Sequence, residues 1–443
     1  MDIKELYKLY QQHPCITTDS RDCPEGSIFL ALKGESFNGN KFAESALEKG
    51  CAYAIIDEPE YKKDERFIVV KDCLQTFKDL AREHRRQYDI PVIGITGTNG
   101  KTTTKELIRA VLSECYNVMA TEGNFNNDVG VPKTLFRLND SHDIAVVEMG
   151  ASHPGDIKTL VETAEPNSGL ITNVGRAHLQ GFGSFEGVCK TKGELYDFLI
   201  SHDAPLFVNR DNEYLMEMVN SKSSNGKSPD IYYYGQSDNP DILIRGEVLS
   251  CAPFLKFRWR EQDADAGYTS EWQTIQTHLI GAYNLDNMLA AITIGYVNNI
   301  PFEQINHALE SYVPTNNRSQ LTETEKNHLI VDAYNANPTS MKAAIDNFRL
   351  MEVSPKMAIL GMMGELGDVS QEEHQKIIAL LQEACFDEVW LVGAEFQKAV
   401  SPFRTFANVD EVKAAIAEVQ PAGRYILIKG SNSTHLYELP ALL

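Results

Sequence analysis

Short apolar runs alternate with amphipathic stretches from one end of the chain to the other. MDIKELYKLYQQH at the start carries Asp2 and Glu5 and no long apolar core, so it predicts a short amphipathic helix rather than a signal peptide. SIFLAL (27–32), AYAIID and RFIVV predict strands, KFAESALEKG (41–50) a helix closed by Gly50, and CLQTFKDLAREHRRQY (73–88) a long amphipathic helix. DIP (89–91) marks a boundary. Strands are then predicted at PVIGIT (91–96), VMAT (118–121), DIAVVEMG (143–150), SGLITNV (168–174) and APLFVN (204–209), with helical patterns between them. Nearly continuous apolar strands spaced by helices imply a mostly parallel sheet covered on both faces. Across 231–280 the pattern changes to alternation in IYYYG, ILIRGEVLS, FLKFRWRE and WQTIQTHLIG, which predicts an antiparallel edge or flap. Helices over 285–297 and 302–312 follow, and VPTNNRSQ (313–320) reads as a linker. HLIVDAY, KMAILG, EVWLVG and RYILIKG then repeat the strand–helix alternation.

The expected class is α/β with three domains, which suits a length of 443 residues. They are a small α/β domain over 1–88, a central mostly parallel sheet of phosphate-loop type with an antiparallel flap over 89–312, and a Rossmann-like domain over 313–443. A hydrophobic fraction of 43% and a charged fraction of 23% belong to a globular chain. The net charge of -21 disfavours nucleic acid and anionic membrane, and no Lys/Arg stripe overrides it. Eight scattered cysteines without a C-x-x-C pair suggest reduced thiols in a cytoplasm and no cysteine zinc site. No apolar stretch is long enough to span a bilayer, and no heptad pattern predicts an oligomer, so a monomer is expected.

One segment carries specific chemistry. VIGITGTNGKTTTKEL (92–107) places Gly97, Thr98, Asn99, Gly100, Lys101, Thr102 and Thr103 between a strand and a helix. Glycines let backbone N–H groups approach phosphate oxygens, and the helix N-terminus adds a positive dipole end. Lys101 can reach terminal phosphates and the Thr102 hydroxyl can ligate Mg2+. The spacing is G-x-x-G-K-T rather than the standard phosphate-loop form, and a chance glycine turn is the bland alternative. Glu148 and His178 each follow an apolar run, where open α/β sheets collect ligands. With Thr102 they are candidate ligands for one or two Mg2+ ions; alternatively Glu148 is an ordinary exposed strand end and His178 a structural histidine.

Taken together in order, the motifs resemble those of the Mur ligase family nearly end to end. DSRDCPEGSIFLALKGESFNGNKF (19–42) resembles its uridine-binding module, and GTNGKTTTKE (97–106) its form of the phosphate loop. EGNFNNDVGVPKTL (122–135), VEMGASHPGDI (147–157), TNVGRAHLQGFGSFEGVCKTKGEL (172–195) and GAYNLDNMLAA (281–291) follow. DAYNANPTSM (332–341) and LGMMGELGD (360–368) complete the set and, with EMGASHPGDI, favour the D-alanyl-D-alanine-adding branch. The resemblance implies that ATP activates the terminal carboxylate of a UDP-N-acetylmuramoyl-tripeptide as an acyl phosphate, which the amine of D-Ala-D-Ala attacks. Such chemistry needs positioning and charge neutralisation more than a nucleophile, and the sequence carries no G-x-S-x-G or Cys/His signature.

Residue roles follow from the resemblance. Lys101 would bind phosphate, Thr102 and Glu148 one Mg2+, and His178 the second with a carbamylated lysine. That lysine aligns best with Lys192, with Lys190 as its rival and two solvated helix lysines as the alternative. Asn284 and Asn287 match adenine-side asparagines, although Tyr283 stands where the family often has His. Arg318 resembles a linker arginine that contacts phosphate, or is a plain linker cation. Asp332, Tyr334 and Asn335 resemble residues that meet the ribose and base when the C-terminal domain swings about the linker near Pro314, bringing Asp332 and Lys429 to the nucleotide. Asn124, Asn126 and Asn127 match a polar substrate loop, or are turn chemistry. Ser20, Arg21, Lys33, Asn38 and Gly39 resemble uridine and diphosphate contacts, and Lys429 a substrate-side lysine. Asn432 follows Lys429-Gly430-Ser431 where the family usually has Arg, and cannot supply a bidentate cationic grip. Competing readings are a sister ligase with another amino donor, a folylpolyglutamate synthase, which the uridine-type module and DAYNANP disfavour, and a nucleotide-binding regulatory subunit without ligase activity.

Overall fold

The computed structural model describes residues 2–34, 36–223, 229–264, 266–314 and 320–443. In chain order its elements are α1 (Ile3–Gln12), β1 (Ile16–Thr17), β2 (Ile28–Leu30), α2 (Ala43–Glu48), β3 (Tyr53–Ile56), β4 (Phe67–Val69), α3 (Cys73–Arg85), β5 (Val92–Thr96), α4 (Lys101–Leu112), β6 (Val118–Ala120), α5 (Gly130–Leu135), β7 (Ile144–Glu148), α6 (Asp156–Ala164), β8 (Ser168–Ile171), α7 (Leu179–Phe182), α8 (Phe185–Ser201), β9 (Leu206–Asn209), α9 (Glu213–Ser223), β10 (Ile231–Gly235), β11 (Ile242–Cys251), β12 (Phe254–Asp263), β13 (Tyr268–Thr269) and β14 (Gln273–Ile280). There follow α10 (Asn284–Val297), α11 (Phe302–Ser311), β15 (Gln320–Glu323), β16 (His328–Asp332), α12 (Pro338–Leu350), β17 (Lys356–Gly361), α13 (Ser370–Ala384), β18 (Glu388–Val392), α14 (Ala394–Lys398), β19 (Arg404–Phe406), α15 (Val409–Val419) and β20 (Tyr425–Lys429). The class is α/β, with mostly parallel sheets.

Contacts divide the chain into two compact units. The first holds Met1–Gly94, Asn117–Gly150 and Lys158–Asn167. Its small sheet β1-β2-β3-β4 is parallel throughout. Leu6, Tyr10, Phe29, Ile55, Phe77 and Leu80 fill the core over it. A capping box between Asp2 and Glu5 starts α1, and Gly50, at φ +122°, ends the turn after α2. Within this unit β6 pairs parallel with β7, all five residues of which are buried. His84 on α3 ties the unit together: its Nε2–H donates to the Leu138 carbonyl at 3.0 Å, so Nδ1 accepts from the Tyr7 hydroxyl at 2.9 Å. A carbonyl can only accept, which settles the tautomer, and burial holds the imidazole below its ordinary pKa.

The second unit holds Ile95–Tyr116, Ala151–Ile157 and Ser168–Leu443. There the end of β5 lies beside β8, with the Thr172 amide donating to the Thr96 carbonyl at 2.9 Å. β8, β9 and β10 continue in parallel. Alternation across 231–280 predicts an antiparallel edge or flap; the first strand of that stretch, β10, instead runs parallel to both β9 and β11. Antiparallel pairing starts only at β11–β12 and continues with β13 and β14 on β12. Sequence alternation reports one covered face, not strand direction, so it could not separate β10 from the flap. In the last sheet the order is β15-β16-β20-β17-β18-β19, with β15 alone antiparallel. The expected linker therefore ends as a strand at Gln320; Arg318 lies outside the described residues. Apolar clusters cover both faces of that sheet, one around Met341, Ile345, Phe348 and Ile378, the other around Trp390, Val412, Ile416 and Leu436.

Candidate active site

The phosphate loop sits where β5 turns into α4, and its shape depends on two glycines. Gly97 has φ +146°, and a Cβ there would lie 2.0 Å from the Thr172 hydroxyl; Gly100, at φ +80°, precedes the first residue of α4. Both conformations are ones that other residues adopt only under strain. Four neighbouring groups strap the loop down. The Thr98 amide donates to the Asn173 carbonyl at 2.9 Å and the Asn99 amide to the Asn173 side chain at 3.0 Å. Thr172 Oγ1 and Asn173 Nδ2 donate to the Asn99 carbonyl at 2.6 and 3.0 Å, and the Gly175 amide to the Thr98 hydroxyl at 2.9 Å. Lys101 folds its ammonium over the loop, onto the carbonyls of Gly97 (2.9 Å) and Thr98 (3.1 Å). Thr102 is buried on the first turn of α4, while Thr103 is half-exposed.

His178 and Lys192 come to the same neighbourhood. Burial lowers the His178 pKa, opposed by the Glu365 carboxylate and reinforced by the positive charges of Lys101 and Lys192. The ring is therefore kept neutral and offers a nitrogen lone pair. Phe182 lies between the two residues, its ring edge-on to His178 at 6.2 Å and under the Lys192 ammonium at 5.7 Å. Lys192 is 2% exposed, whereas Lys190 is exposed. The pattern Val188, Lys192, Leu195, Leu199 follows the buried stripe of α8, a period-3.6 signal that separates the two lysines.

Asn284 and Asn287 are buried on α10 with their amides turned into the protein. Thr104 donates to Asn287 Oδ1 at 3.0 Å, Asn287 Nδ2 to Asn284 Oδ1 at 2.8 Å, and Asn284 Nδ2 to the Ile280 carbonyl at 2.8 Å. A Cβ on Gly100 would meet Asn287 Oδ1 at 2.7 Å, so α10 packs directly against the loop. Tyr283 and Asp332 line a small cleft with Ile280, Ile330, Asn347 and Phe348. Lys429, 1% exposed, pairs with Asp332 at 2.5 Å and donates to the Asn335 carbonyl at 3.3 Å; Tyr334 and Asn335 are exposed beside them. Asn432 is exposed at the start of a short 3-10 turn.

Segments of the last sheet's neighbourhood reach the loop through residues that motif reasoning passed over. Asn337 caps α12 and donates to Asn99 Oδ1 at 2.8 Å. The Arg176 guanidinium meets Glu373 at 3.3 Å, its amide meets Thr339 Oγ1 at 3.2 Å, and Glu365 meets His178. Asn337 before Pro338 is legible as a helix start; the long-range pairings leave no local trace.

In the first unit Glu148, 1% exposed at the end of β7, accepts from Asn126 Nδ2 at 2.8 Å, and its amide receives support from Thr121. This excludes the ordinary exposed strand-end carboxylate. Asn127 Oδ1 accepts from the Gly130 amide at 2.8 Å, and Asn124 is exposed in the same loop. Lys33 pairs with Asp57 (3.1 Å) and Glu58 (3.4 Å), and Asn38 donates to Glu58 at 2.8 Å. Gly39 packs so closely on Leu32 that a Cβ would lie 2.4 Å from its carbonyl. Arg21 is exposed and forks onto Asp19, whose carboxyl it holds far below the usual range; the Ser20 carbonyl accepts from Lys49.

The glycine cradle and Lys101 fit a nucleoside triphosphate. Among the described residues no group of three or more His, Cys, Asp or Glu forms a ready metal cage. Hydroxyl and carboxylate oxygens are the donors Mg2+ takes, and it keeps waters and relies on substrate phosphates rather than on an all-protein cage. A mostly parallel α/β core with a strapped phosphate loop defines a nucleotide-binding fold. Three family models match, the Mur ligase family catalytic domain over 14–92, the Mur ligase middle domain over 95–295 and the Mur ligase glutamate ligase domain over 317–432. The UDP-N-acetylmuramoyl-tripeptide–D-alanyl-D-alanine ligase of Bacillus subtilis is 32% identical, covering 96% of this chain and 92% of its own; that of Escherichia coli is also 32% identical with the same coverage. MurF of Acinetobacter baumannii superposes with a TM-score of 0.85 at 30% identity over 96% of this chain and 92% of its own. MurF of Thermotoga maritima in complex with ADP gives 0.84 at 25% identity, over 97% and 96%. The chain belongs to the Mur ligase family of ATP-dependent ligases in peptidoglycan synthesis.

Proposed function

We propose that the protein joins D-Ala-D-Ala to the terminal carboxylate of UDP-N-acetylmuramoyl-tripeptide, with ATP cleaved to ADP and phosphate. The observation that carries this reading is the match, over nearly the whole chain, to relatives bearing that activity in their names; the charges of Lys101 and Lys192 both acting on His178 support it. The substrate carboxylate attacks the γ-phosphorus, ADP leaves, and the amine displaces phosphate from the acyl carbon. Lys101 steadies the terminal phosphates, and the loop amides, held by Thr172 and Asn173, present N–H groups to them. Mg2+ would neutralise phosphate charge as it shifts to the leaving oxygen. The ligands would be Thr102 and Glu148 for one Mg2+, and His178 with Lys192 as a carbamate for a second; the burial of Lys192 near His178, against the exposed position of Lys190, supports that choice.

Asn284 and Asn287 take the adenine side, where Tyr283 stands in place of the family's usual His, and Asp332, Tyr334 and Asn335 meet the ribose and base. Arg318 would approach phosphate. Ser20, Arg21, Lys33, Asn38 and Gly39 take the uridine diphosphate, Asn124, Asn126 and Asn127 the peptide, and Lys429 holds the substrate-side strand end. The domains proposed are 1–88, 89–312 and 313–443, and the protein acts as a cytoplasmic monomer; no helix of the described residues is long and apolar enough to cross a membrane. Phosphate release should require ATP, UDP-MurNAc-tripeptide and D-Ala-D-Ala together. Absence of release with the full set refutes the proposal, and release with a single amino acid in place of the dipeptide reassigns the chain to a sister activity.

A further inference from the structure

His178 and Glu365 are both non-glycine residues in the left-handed region, at φ +50° and +59°. Such backbone persists where surroundings enforce it. Here the two strained residues face each other: His178 Nδ1 meets the Glu365 carboxylate, and the Gln180 amide donates to the Glu365 carbonyl at 3.3 Å. A carboxylate can only accept, so Nδ1 carries the proton and Nε2 keeps its lone pair.

The loop that presents Glu365 is anchored independently of His178. The Met362 amide donates to the Val392 carbonyl at 2.8 Å, and the Met362 carbonyl accepts from Ser431 at 2.9 Å. The Met363 amide donates to Nε2 of the fully buried His374 at 3.0 Å, while His374 Nδ1 donates to the Ser370 carbonyl at 2.7 Å. Met363 and Leu366 are buried on either side, leaving Glu365 as the projecting group. On the His178 side, Leu179, Phe182 and Val188 pack with Val369.

We propose that Glu365 is a positioning residue for His178: its carboxylate fixes the imidazole's tautomer and aim, so that Nε2 is presented to a divalent cation only when the 362–369 loop is docked. The proposal rests on the metal role given to His178 above. Metal-bound histidines commonly use a carboxylate this way, and losing it costs about 10–100-fold in metal affinity. The residue delivering it here lies on the loop after β17, so metal affinity and docking of the C-terminal sheet would be linked.

Mn2+ accepts imidazole more readily than Mg2+ and is visible by electron paramagnetic resonance. Titration of Mn2+ into the full-length protein with ADP should show Glu365→Ala binding about 10–100-fold more weakly than the parent, Glu365→Gln in between, and the exposed control Glu372→Ala unchanged. Nitrogen-15 NMR of the histidine rings, without metal, should show His178 losing its single Nδ1–H tautomer in Glu365→Ala. Unchanged Mn2+ affinity and tautomer in Glu365→Ala overturn the proposal. His178→Ala distinguishes the levels of failure: if it weakens Mn2+ binding while Glu365→Ala does not, only the positioning role falls. If His178→Ala also leaves Mn2+ affinity unchanged, the metal role of His178 falls with it.

Discussion

Replacing Asp332 by Ala should destabilise the protein more than replacing its partner Lys429 by Met. The pair meets at 2.5 Å, but its members are unequally buried: the Lys429 side chain is 1% exposed and Asp332 20%. Asp332→Ala leaves an ammonium without a counter-charge, with only the Asn335 carbonyl at 3.3 Å to accept from it. Removing one partner of a buried pair costs about 3–5 kcal/mol. Lys429→Met removes the deeper charge and leaves a carboxylate that water can reach, so the loss is nearer the value of a charged hydrogen bond, about 1.5–3 kcal/mol. The double variant Asp332→Ala/Lys429→Met should recover most of the difference, because no buried charge is left unpaired. Against a total stability of about 5–15 kcal/mol the Asp332 effect is large, and urea unfolding followed by circular dichroism would resolve it. Equal losses for the single variants, or a double variant that simply sums them, would refute the reasoning that desolvation of Lys429 dominates.

Gly97→Ala should weaken ADP binding at least tenfold in calorimetric titration, since its Cβ would sit 2.0 Å from Thr172 Oγ1 and 3.1 Å from the Thr172 amide nitrogen. Thr104→Val, which removes the donor on Asn287 Oδ1, should cost about 1–3 kcal/mol in urea unfolding, and Thr104→Ser should restore most of it. His84 has a folded pKa below its ordinary 6.5, so the unfolded chain binds the proton first. Its contribution is complete above pH 6.5 and is lost as pH falls from there towards the folded value, with a slope of up to about 1.4 kcal/mol per pH unit; His84→Gln should flatten that part of the stability–pH curve. A crystal grown with bicarbonate should show density for a carbamate on Lys192 and none on Lys190, and a bare Lys192 amine turned from His178 would remove the carbamate from the scheme.

The strands were legible where burial is two-sided. VIGIT and IAVVE are apolar without interruption and are fully buried as β5 and β7, and the glycines after VIGIT announced a loop that only glycine can form. What escaped was whatever depends on a partner far along the chain. Thr172 and Asn173 read as the polar end of a strand, yet they set the loop's shape from more than seventy residues away. Asn284 and Asn287 were recognisable by motif, but their position in sequence says nothing about which way an amide points, and both have at least part of their bonding capacity committed to Thr104, each other and Ile280. Burial of the two α8 lysines was a different case, for the stripe Val188, Leu195, Leu199 already told the buried Lys192 from the exposed Lys190.

Charge gives the same lesson about scale. A net charge of -21 describes the whole surface, whereas anion binding is decided over a few ångströms. Lys429 is spent on Asp332 and Arg176 on Glu373, and Asn432 stands exposed without a charge. The cation that lies directly on the glycine loop is Lys101, with its ammonium over the Gly97 and Thr98 carbonyls. Phosphate contact would require that ammonium to leave two carbonyls, so the loop's own acceptors compete with the nucleotide for it. Lys101→Met should therefore relax the loop less than it impairs binding: amide hydrogen exchange at residues 97–100 would rise only modestly while ADP affinity collapses. A large rise in exchange with affinity nearly intact would mean that Lys101 is chiefly a brace for the loop.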